Sequence, residues 1–364
     1  MIIGIDGNEA NTKKRVGAGQ YAYNILLELH RLDSKNQYYI YLKNQPLQDM
    51  PIISHNWHYL VFGPKFLWTK LALPWKLYTQ KIKLDLFFSL NHYSPSLSPF
   101  PTIPTIHDLG YLSYPQQFNR RDLYQLIHWT RKSIRKAKRI IAVSQFTKNE
   151  IIKTYHTPAN KITVAYNGVG KALDISPRIT SKILNKFKIK KPFFLYLGTL
   201  KPNKNINLII KAITQLPHHQ LVIAGKKGWL YHDIFQLVID LKLENRVIFT
   251  DFVNEREKWA LYKNAVALVI PSLYEGFGIP AIEAQKGGLP VIASRIPIYE
   301  EILGKSALLI NPLNSDELVN AFKTVQNDAV AQKLIKAGFK NAAKFTWAKT
   351  AHSILKCFYD AKNS

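Results

Sequence analysis

Short apolar runs, each followed by a longer stretch with helical periodicity, recur along this chain in two successive sets, and no other feature narrows its possible folds as much. A strand that leads into a crossover helix sets the next strand parallel to itself, so the alternation predicts an α/β protein with two doubly wound sheets. The first set of strand candidates is residues 2–5, 38–42, 57–61, 86–88, 102–106, 140–143 and 162–165. The second is residues 193–197, 221–224, 247–250, 267–270, 291–293 and 307–310. Residues 168–192 lie between the sets, polar and rich in lysine, and are expected to connect two domains. Doubly wound units bind ligands beyond the carboxyl ends of their strands, so chemistry is to be sought just after each strand, in a cleft between the two units.

The 364 residues suffice for two such domains. The single cysteine, Cys357, excludes an internal disulfide framework and a cysteine zinc cluster, so stability must come from packing. The formal net charge is +26, with 24 basic against 10 acidic residues in 1–180 and 26 against 14 in the remainder. Charge spread this evenly is a property of the whole surface and points to anionic partners. The chain has neither a basic tail nor a recognisable nucleic-acid-binding module, and nucleic acid is not expected as a partner. The first residues, Met1-Ile2-Ile3-Gly4-Ile5-Asp6, do not pair a basic region with a long apolar run. The longest uncharged stretch, residues 86–106, is broken by Pro95, Pro99, Pro101 and Pro104, so it cannot be a regular membrane-spanning helix. A cytoplasmic location is therefore expected.

Four strand ends carry candidate chemistry. Gly17-Ala18-Gly19 opens the helical pattern at 21–32, where a side-chain-free backbone and a helix N-terminus suit a phosphate, although a flexible turn would use the same residues. His107, in Thr105-Ile106-His107-Asp108, can hydrogen-bond a sugar hydroxyl or be satisfied within the core, and Asp108 reads as a turn residue. Gly198-Thr199-Leu200-Lys201-Pro202-Asn203-Lys204 ends a strand, and Lys204 stands just ahead of the next helical pattern, placed to neutralise a diphosphate leaving group. The most informative segment runs from Pro271 to Ala284 and contains Glu275-Gly276-Phe277-Gly278-Ile279-Pro280 and Glu283. Pro280 suits the first turn of a helix, and Glu283 then falls in that turn, where it would gain about 0.3–1 kcal/mol from the helix dipole. Glu275 lies in the loop beside open backbone N–H groups. Each carboxylate can accept from a vicinal diol, one on a sugar and one on a ribose, as a nucleotide sugar requires.

Two glutamates seven residues apart around Gly276-Phe277-Gly278-Ile279-Pro280 resemble the signature of family 4 retaining glycosyltransferases. The likeness runs nearly end to end through Gly17-Ala18-Gly19, His107-Asp108-Leu109, Val143-Ser144, Asn167-Gly168-Val169, Gly198-Thr199-Leu200, Gly225-Lys226 and Gly288-Leu289-Pro290-Val291. It implies the GT-B fold. An acceptor-side domain at 1–170 and a nucleotide-sugar domain at 171–346 would face a central cleft, with a final helix at 347–364 packing back on the first domain. Carried over, Glu283 holds the ribose, while Glu275 and the backbone of Gly276, Phe277, Gly278 and Ile279 hold the donor sugar. Lys204 holds the diphosphate, which Gly17 and Gly19 approach from the other domain, Gly198 and Thr199 bind the donor, and His107 contacts the sugar near the reacting centre. The family commonly has Arg-Lys where this chain has Asn203-Lys204, and Lys201 is the nearby candidate for the missing charge.

The implied reaction moves a hexose, mannose from GDP-mannose as first choice, onto an acceptor hydroxyl with retention of configuration and without a resident cofactor. Asp-x-Asp is absent from the chain, so no metal is expected. Residues 65–83 interleave five lysines with Phe66, Leu67, Trp68, Leu71, Leu73, Trp75, Leu77 and Tyr78, and 131–139 hold six basic residues. Both suit an anionic bilayer surface, where each charge contributes about 1 kcal/mol, and both suit a solvated face. A lipid-linked glycan acceptor, as in lipopolysaccharide assembly, and peripheral contact with the inner face of the cytoplasmic membrane are expected. A nicotinamide oxidoreductase is the rival enzyme, but Gly17-Ala18-Gly19-Gln20-Tyr21-Ala22 lacks the third glycine of its fingerprint. A nucleotide-sugar binder without turnover is the other alternative.

Overall fold

The computed structural model describes residues 1–95 and 97–363. Its chain divides into two compact units, the first comprising Met1–Pro115, Asn119–Gly168 and the C-terminal stretch from Thr346, the second built on Val169–Phe345.

The first unit holds seven parallel strands, β1 (Ile2–Asp6), β2 (Gln37–Leu42), β3 (Trp57–Val61), β4 (Leu86–Ser89), β5 (Thr102–Ile106), β6 (Ile140–Ala142) and β7 (Ile162–Val164). Their order is β3-β2-β1-β4-β5-β6-β7, so the winding reverses between β1 and β4. The strands β4, β5 and β6 are buried along their whole length, which explains why apolar residues dominate them, with Ser89, Thr102 and Thr105 as the polar exceptions. The helix Ala18–Leu32 buries Tyr21, Ala22, Ile25, Leu26 and Leu29, a spacing that puts all five on one face. The C-terminal helix Trp347–Asn363 does the same with Trp347, Ala351, Ile354, Cys357 and Phe358. It packs on the first unit, with Phe358 edge-on to Phe88 and Thr350 Oγ1 donating to Tyr166 O at 2.6 Å. Ser364, the last residue of the expected 347–364 segment, lies outside the described residues.

The second unit holds β8 (Phe193–Leu197), β9 (Gln220–Ala224), β10 (Val247–Asp251), β11 (Leu268–Ile270), β12 (Val291–Ser294) and β13 (Leu308–Ile310), all parallel, in the order β10-β9-β8-β11-β12-β13. Here the winding reverses between β8 and β11. Helix Ile206–Ile213 and helix Ser315–Val325 supply Ile209, Ile213, Leu318 and Phe322 to a core shared with Phe194 and Leu221.

Two expectations need correction. Residues 168–192 are not merely a connector, because they contain the helix Pro177–Lys186, which starts on Pro177 and buries Thr180, Ile183 and Leu184. Its charged composition conceals a short apolar face at positions i, i+3 and i+4, and Lys186 bonds Glu257. Residues 65–83 are not one interfacial strip either. Trp68, Ala72, Leu73 and Leu77 join a core with Tyr41 and Phe87, whereas Leu71, Trp75 and Tyr78 on the helix Ala72–Thr79 and its leading turn stay exposed. Among the described residues, no helix is long and apolar enough to cross a membrane.

Candidate active site

In the second unit, the loops that leave β8 and β11 emerge side by side at the reversal point of the sheet. The β8 loop starts at Gly198, whose N–H donates to Ala224 O at 2.9 Å. Neighbouring Gly225 has φ +153°, and a Cβ there would sit 1.8 Å from Gly198 O, so only glycine lets the two backbones approach this closely. Tyr196 OH donates to Thr199 O and holds the loop down. A turn at Pro202–Lys204 and a left-handed Asn205 then start helix Ile206–Ile213 and present Lys204.

Lys204 Nζ donates to Glu275 Oε1 at 2.5 Å, joining two residues that the sequence places 71 positions apart. Ser272 Oγ also donates to Oε1 at 3.0 Å, as does Tyr299 OH at 3.4 Å. Among the described residues, all three side-chain bonds to this carboxylate land on one oxygen. Burial, and then the charge of Glu275, push the Tyr196 and Tyr299 hydroxyls well above the ordinary tyrosine range, so both stay protonated donors. Gly278 has φ +92° and caps helix Ile279–Lys286, and a Cβ there would come within 2.5 Å of the Tyr299 ring. Phe277 is buried, its ring edge-on to Phe345 at 5.6 Å, so its side chain serves packing. Asn203 ties the loops together, since its carbonyl accepts from Leu273 N at 2.8 Å. Its side-chain Oδ1 is buried without a partner at the position where an arginine was expected.

Glu283 lies beyond the first turn of helix Ile279–Lys286, which corrects the dipole reading. Its Oε1 accepts from Lys258 Nζ at 2.7 Å and its Oε2 from Tyr262 OH at 3.2 Å. Burial works to lower the Lys258 ammonium's pKa, but Glu283 and Glu255 outweigh it and the net shift is upward. The Tyr262 hydroxyl is raised by burial and then by Glu283. Lys258 and Tyr262 come from the capped helix Glu255–Tyr262 and are separated from Glu283 by the whole of β11 and its loop, so no local pattern announces them.

In the first unit, the corresponding reversal point gathers the ends of β1, β4 and β5. Gly17, with φ +50°, caps helix Ala18–Leu32, and Gly19 lies where a Cβ would stand 3.1 Å from Glu9 O. His107 Nε2–H donates to Leu90 O at 3.0 Å, which leaves Nδ1 as an acceptor. Burial lowers its pKa, so the ring is held neutral. Asp108 Oδ1 accepts from Gly110 N at 2.8 Å and is a turn residue, as expected. The sequence reading missed His92, 5.7 Å from His107 between ring centres, and Asp6. Burial, with His107 next, lowers His92 to about 4, and burial raises Asp6 to about 6.

Residues 179–341 match the family model for glycosyl transferases group 1, and residues 16–172 match that for glycosyltransferase family 4. The O-antigen chain mannosyltransferase RfbU of Salmonella typhimurium is 31% identical over 271 residues, which are 71% of this chain and 73% of that protein. The chain belongs to the group 1 glycosyltransferases. This glycosyltransferase is also 28% identical to the O-antigen chain mannosyltransferase B of Escherichia coli over 67% of its own length and 66% of the relative's. Its match to the mannosyltransferase WbdA of Escherichia coli spans only 33% of that longer protein. Among solved structures, HepE of Anabaena in complex with UDP-glucose superposes with a TM-score of 0.77 at 20% identity over 99% of each chain. WaaG, a glycosyltransferase of lipopolysaccharide biosynthesis, does so with a TM-score of 0.72 at 15% identity over 97% of this chain and 98% of WaaG. These likenesses show the GT-B fold.

Proposed function

We propose that this glycosyltransferase moves a hexose, mannose first, from a nucleoside diphosphate sugar to a hydroxyl of a lipid-linked or cell-surface glycan, with retention of anomeric configuration. The observation that carries the reading is the meeting of Lys204 and Glu275 at the reversal point of the second sheet. The mannosyltransferases among its relatives support the choice of sugar.

Glu275 Oε2 takes a donor-sugar hydroxyl while Ser272 and Tyr299 hold Oε1. On donor binding the Lys204 ammonium turns to the diphosphate, and its charge offsets the negative charge that grows there as the glycosidic bond breaks. The leaving phosphate oxygen takes the acceptor's proton, so neither a protein nucleophile nor a resident cofactor or metal is required. Glu283 accepts from the ribose hydroxyls with its free lone pairs. Gly198, Thr199 and the backbone from Gly276 to Ile279 line the donor. In the first unit, Gly17 offers its backbone to an anionic group, beside Gly19, whose N–H donates to Val16 O at 3.0 Å, and His107 Nδ1 accepts from a sugar hydroxyl.

A panel of nucleotide sugars scored by thermal shift identifies the donor, GDP-mannose giving the largest rise. Glu275→Ala should abolish transfer in a chain that still melts cooperatively, and Lys204→Ala should lower kcat by about 10²–10³-fold. Transfer at the wild-type rate by Glu275→Ala refutes the assignment, and an inverted product anomer refutes retention. We also propose that the enzyme is cytoplasmic and docks peripherally on an anionic membrane through its exposed lysines and aromatic residues. Flotation with anionic but not neutral vesicles checks this.

A further inference from the structure

The first unit contains a cavity of about 120 Å³ whose described lining includes none of the strand-end residues named above. One wall is a face of helix Arg120–Lys136 that carries Trp129, Lys132, Ser133 and Lys136, at spacings that put them on the same side. The facing wall brings in Lys70 and Tyr93. Three lysines thus converge on one small space, and among the described residues no carboxylate lines it. Lys70 is held over the Trp129 ring, its Nζ 3.6 Å from the ring centre, so the two walls are tied by a cation–π contact. Buried Ser133 accepts from Ser94 N at 3.0 Å and closes the floor with a hydroxyl. At roughly 30 Å³ per water in the liquid, the cavity has room for a tetrahedral oxyanion.

What lies beside the cavity identifies the source of that anion. Directly after Lys70, the chain turns into helix Ala72–Thr79, which exposes Leu71, Trp75 and Tyr78 along one side while Leu73 and Leu77 go to the core. Trp75 is 65% exposed and Phe66, just before the cavity, 73%. A cationic pocket bordered by exposed aromatic side chains matches a headgroup above an acyl layer better than a free ion in water.

We propose that this cavity is a phosphate site for a membrane lipid, in which Lys70, Lys132 and Lys136 take the oxygens of a phosphomonoester headgroup while Phe66, Leu71, Trp75 and Tyr78 enter the interface. The inference rests on the peripheral docking proposed above and specifies its chemistry. A dianionic phosphomonoester offers three oxygens to three ammonium groups, whereas a phosphodiester offers fewer oxygens and less charge.

The test is co-sedimentation of the full chain with phosphatidylcholine vesicles containing either phosphatidic acid or phosphatidylserine, matched for surface charge. The expected result is at least fivefold tighter retention on phosphatidic acid, reduced to the phosphatidylserine level by Lys132→Gln/Lys136→Gln, two exposed positions whose change leaves the melting transition in place. Retention that is equal on the two charged vesicles overturns the pocket and leaves general docking standing, and absence of retention on both overturns docking as well. Phosphatidic acid selectivity that survives the double variant also overturns the proposal. A thermal shift with inorganic phosphate and no lipid preference assigns the cavity to a free ion and overturns the lipid assignment. None of these readouts involves sugar transfer, so they are independent of the donor reading.

Discussion

Lys258→Met isolates the interaction that holds Glu283. Methionine keeps most of the length and apolar packing of the lysine stem and removes only the ammonium. Both side chains of the pair are 11% exposed, so the loss is not screened as it would be at the surface. Removing one partner from a buried pair costs about 3–5 kcal/mol. Tyr262 OH still bonds Oε2 at 3.2 Å and solvates part of the stranded charge, which places the expected cost at the low end, about 3 kcal/mol. The second bond of Lys258, to exposed Glu255, adds little. Urea denaturation gives the stability difference, and nucleotide-sugar titration gives the effect on donor affinity. The double variant Lys258→Met/Glu283→Gln should recover most of the lost stability, because no unpaired charge remains, but should lose the donor-induced thermal shift. A Lys258→Met chain within 1 kcal/mol of wild type, with donor affinity unchanged, would refute the argument that this ion pair fixes the carboxylate.

Gly278→Ala places a methyl group 2.5 Å from the Tyr299 ring at φ +92°, and should cost about 1–3 kcal/mol while displacing a donor to Glu275. The donor-induced thermal shift should fall further than the melting point, and an unaltered shift would count against a role for Tyr299. Gly168→Ala puts a Cβ 2.1 Å from the backbone nitrogen of Trp347, an overlap no rotamer relieves, so it should cost over about 3 kcal/mol and expose the C-terminal helix to limited proteolysis. Asp6 is raised from 3.8 to about 6 by burial, with Asn8, Glu9 and Lys43 as its other neighbours, so the folded state binds its proton more tightly than the unfolded state does. The stabilising contribution is present below about 3.8 and is lost as pH rises through about 6. Asp6→Asn should therefore stabilise the chain by up to about 3 kcal/mol at pH 7.5 and by much less at pH 4.5, measured by melting at each pH. His92, lowered to about 4 by burial and then by His107, has the reverse sign, its contribution being lost as pH falls from 6.5 through about 4.

The alternation of apolar runs and helical patterns was sufficient to locate every strand described here, because the strands of a parallel sheet with helices over its faces are mostly apolar. Glycines and prolines marked the loops at 198–205 and 271–280 for the same local reason, since a Cβ at Gly198 would stand 2.9 Å from the Tyr196 hydroxyl and a left-handed cap at Gly278 admits few residue types. Local pattern failed where the partner is remote. The helix Pro177–Lys186 was hidden because a lysine-rich sequence can still carry a narrow apolar face, which only its neighbours make visible.

The sequence by itself thus determined the two sheets, their winding, and the loops in which candidate chemistry resides. The tertiary structure alone decided which atoms meet there: Lys204 with Glu275, Lys258 and Tyr262 with Glu283, His92 beside His107, and three lysines around one cavity. The physical reason is that secondary structure follows from periodicities within a few residues, whereas an ion pair or a buried titratable group depends on side chains that only the packing of separate strands and helices brings within reach, 2.5 Å for Lys204 with Glu275 and 5.7 Å between the rings of His92 and His107.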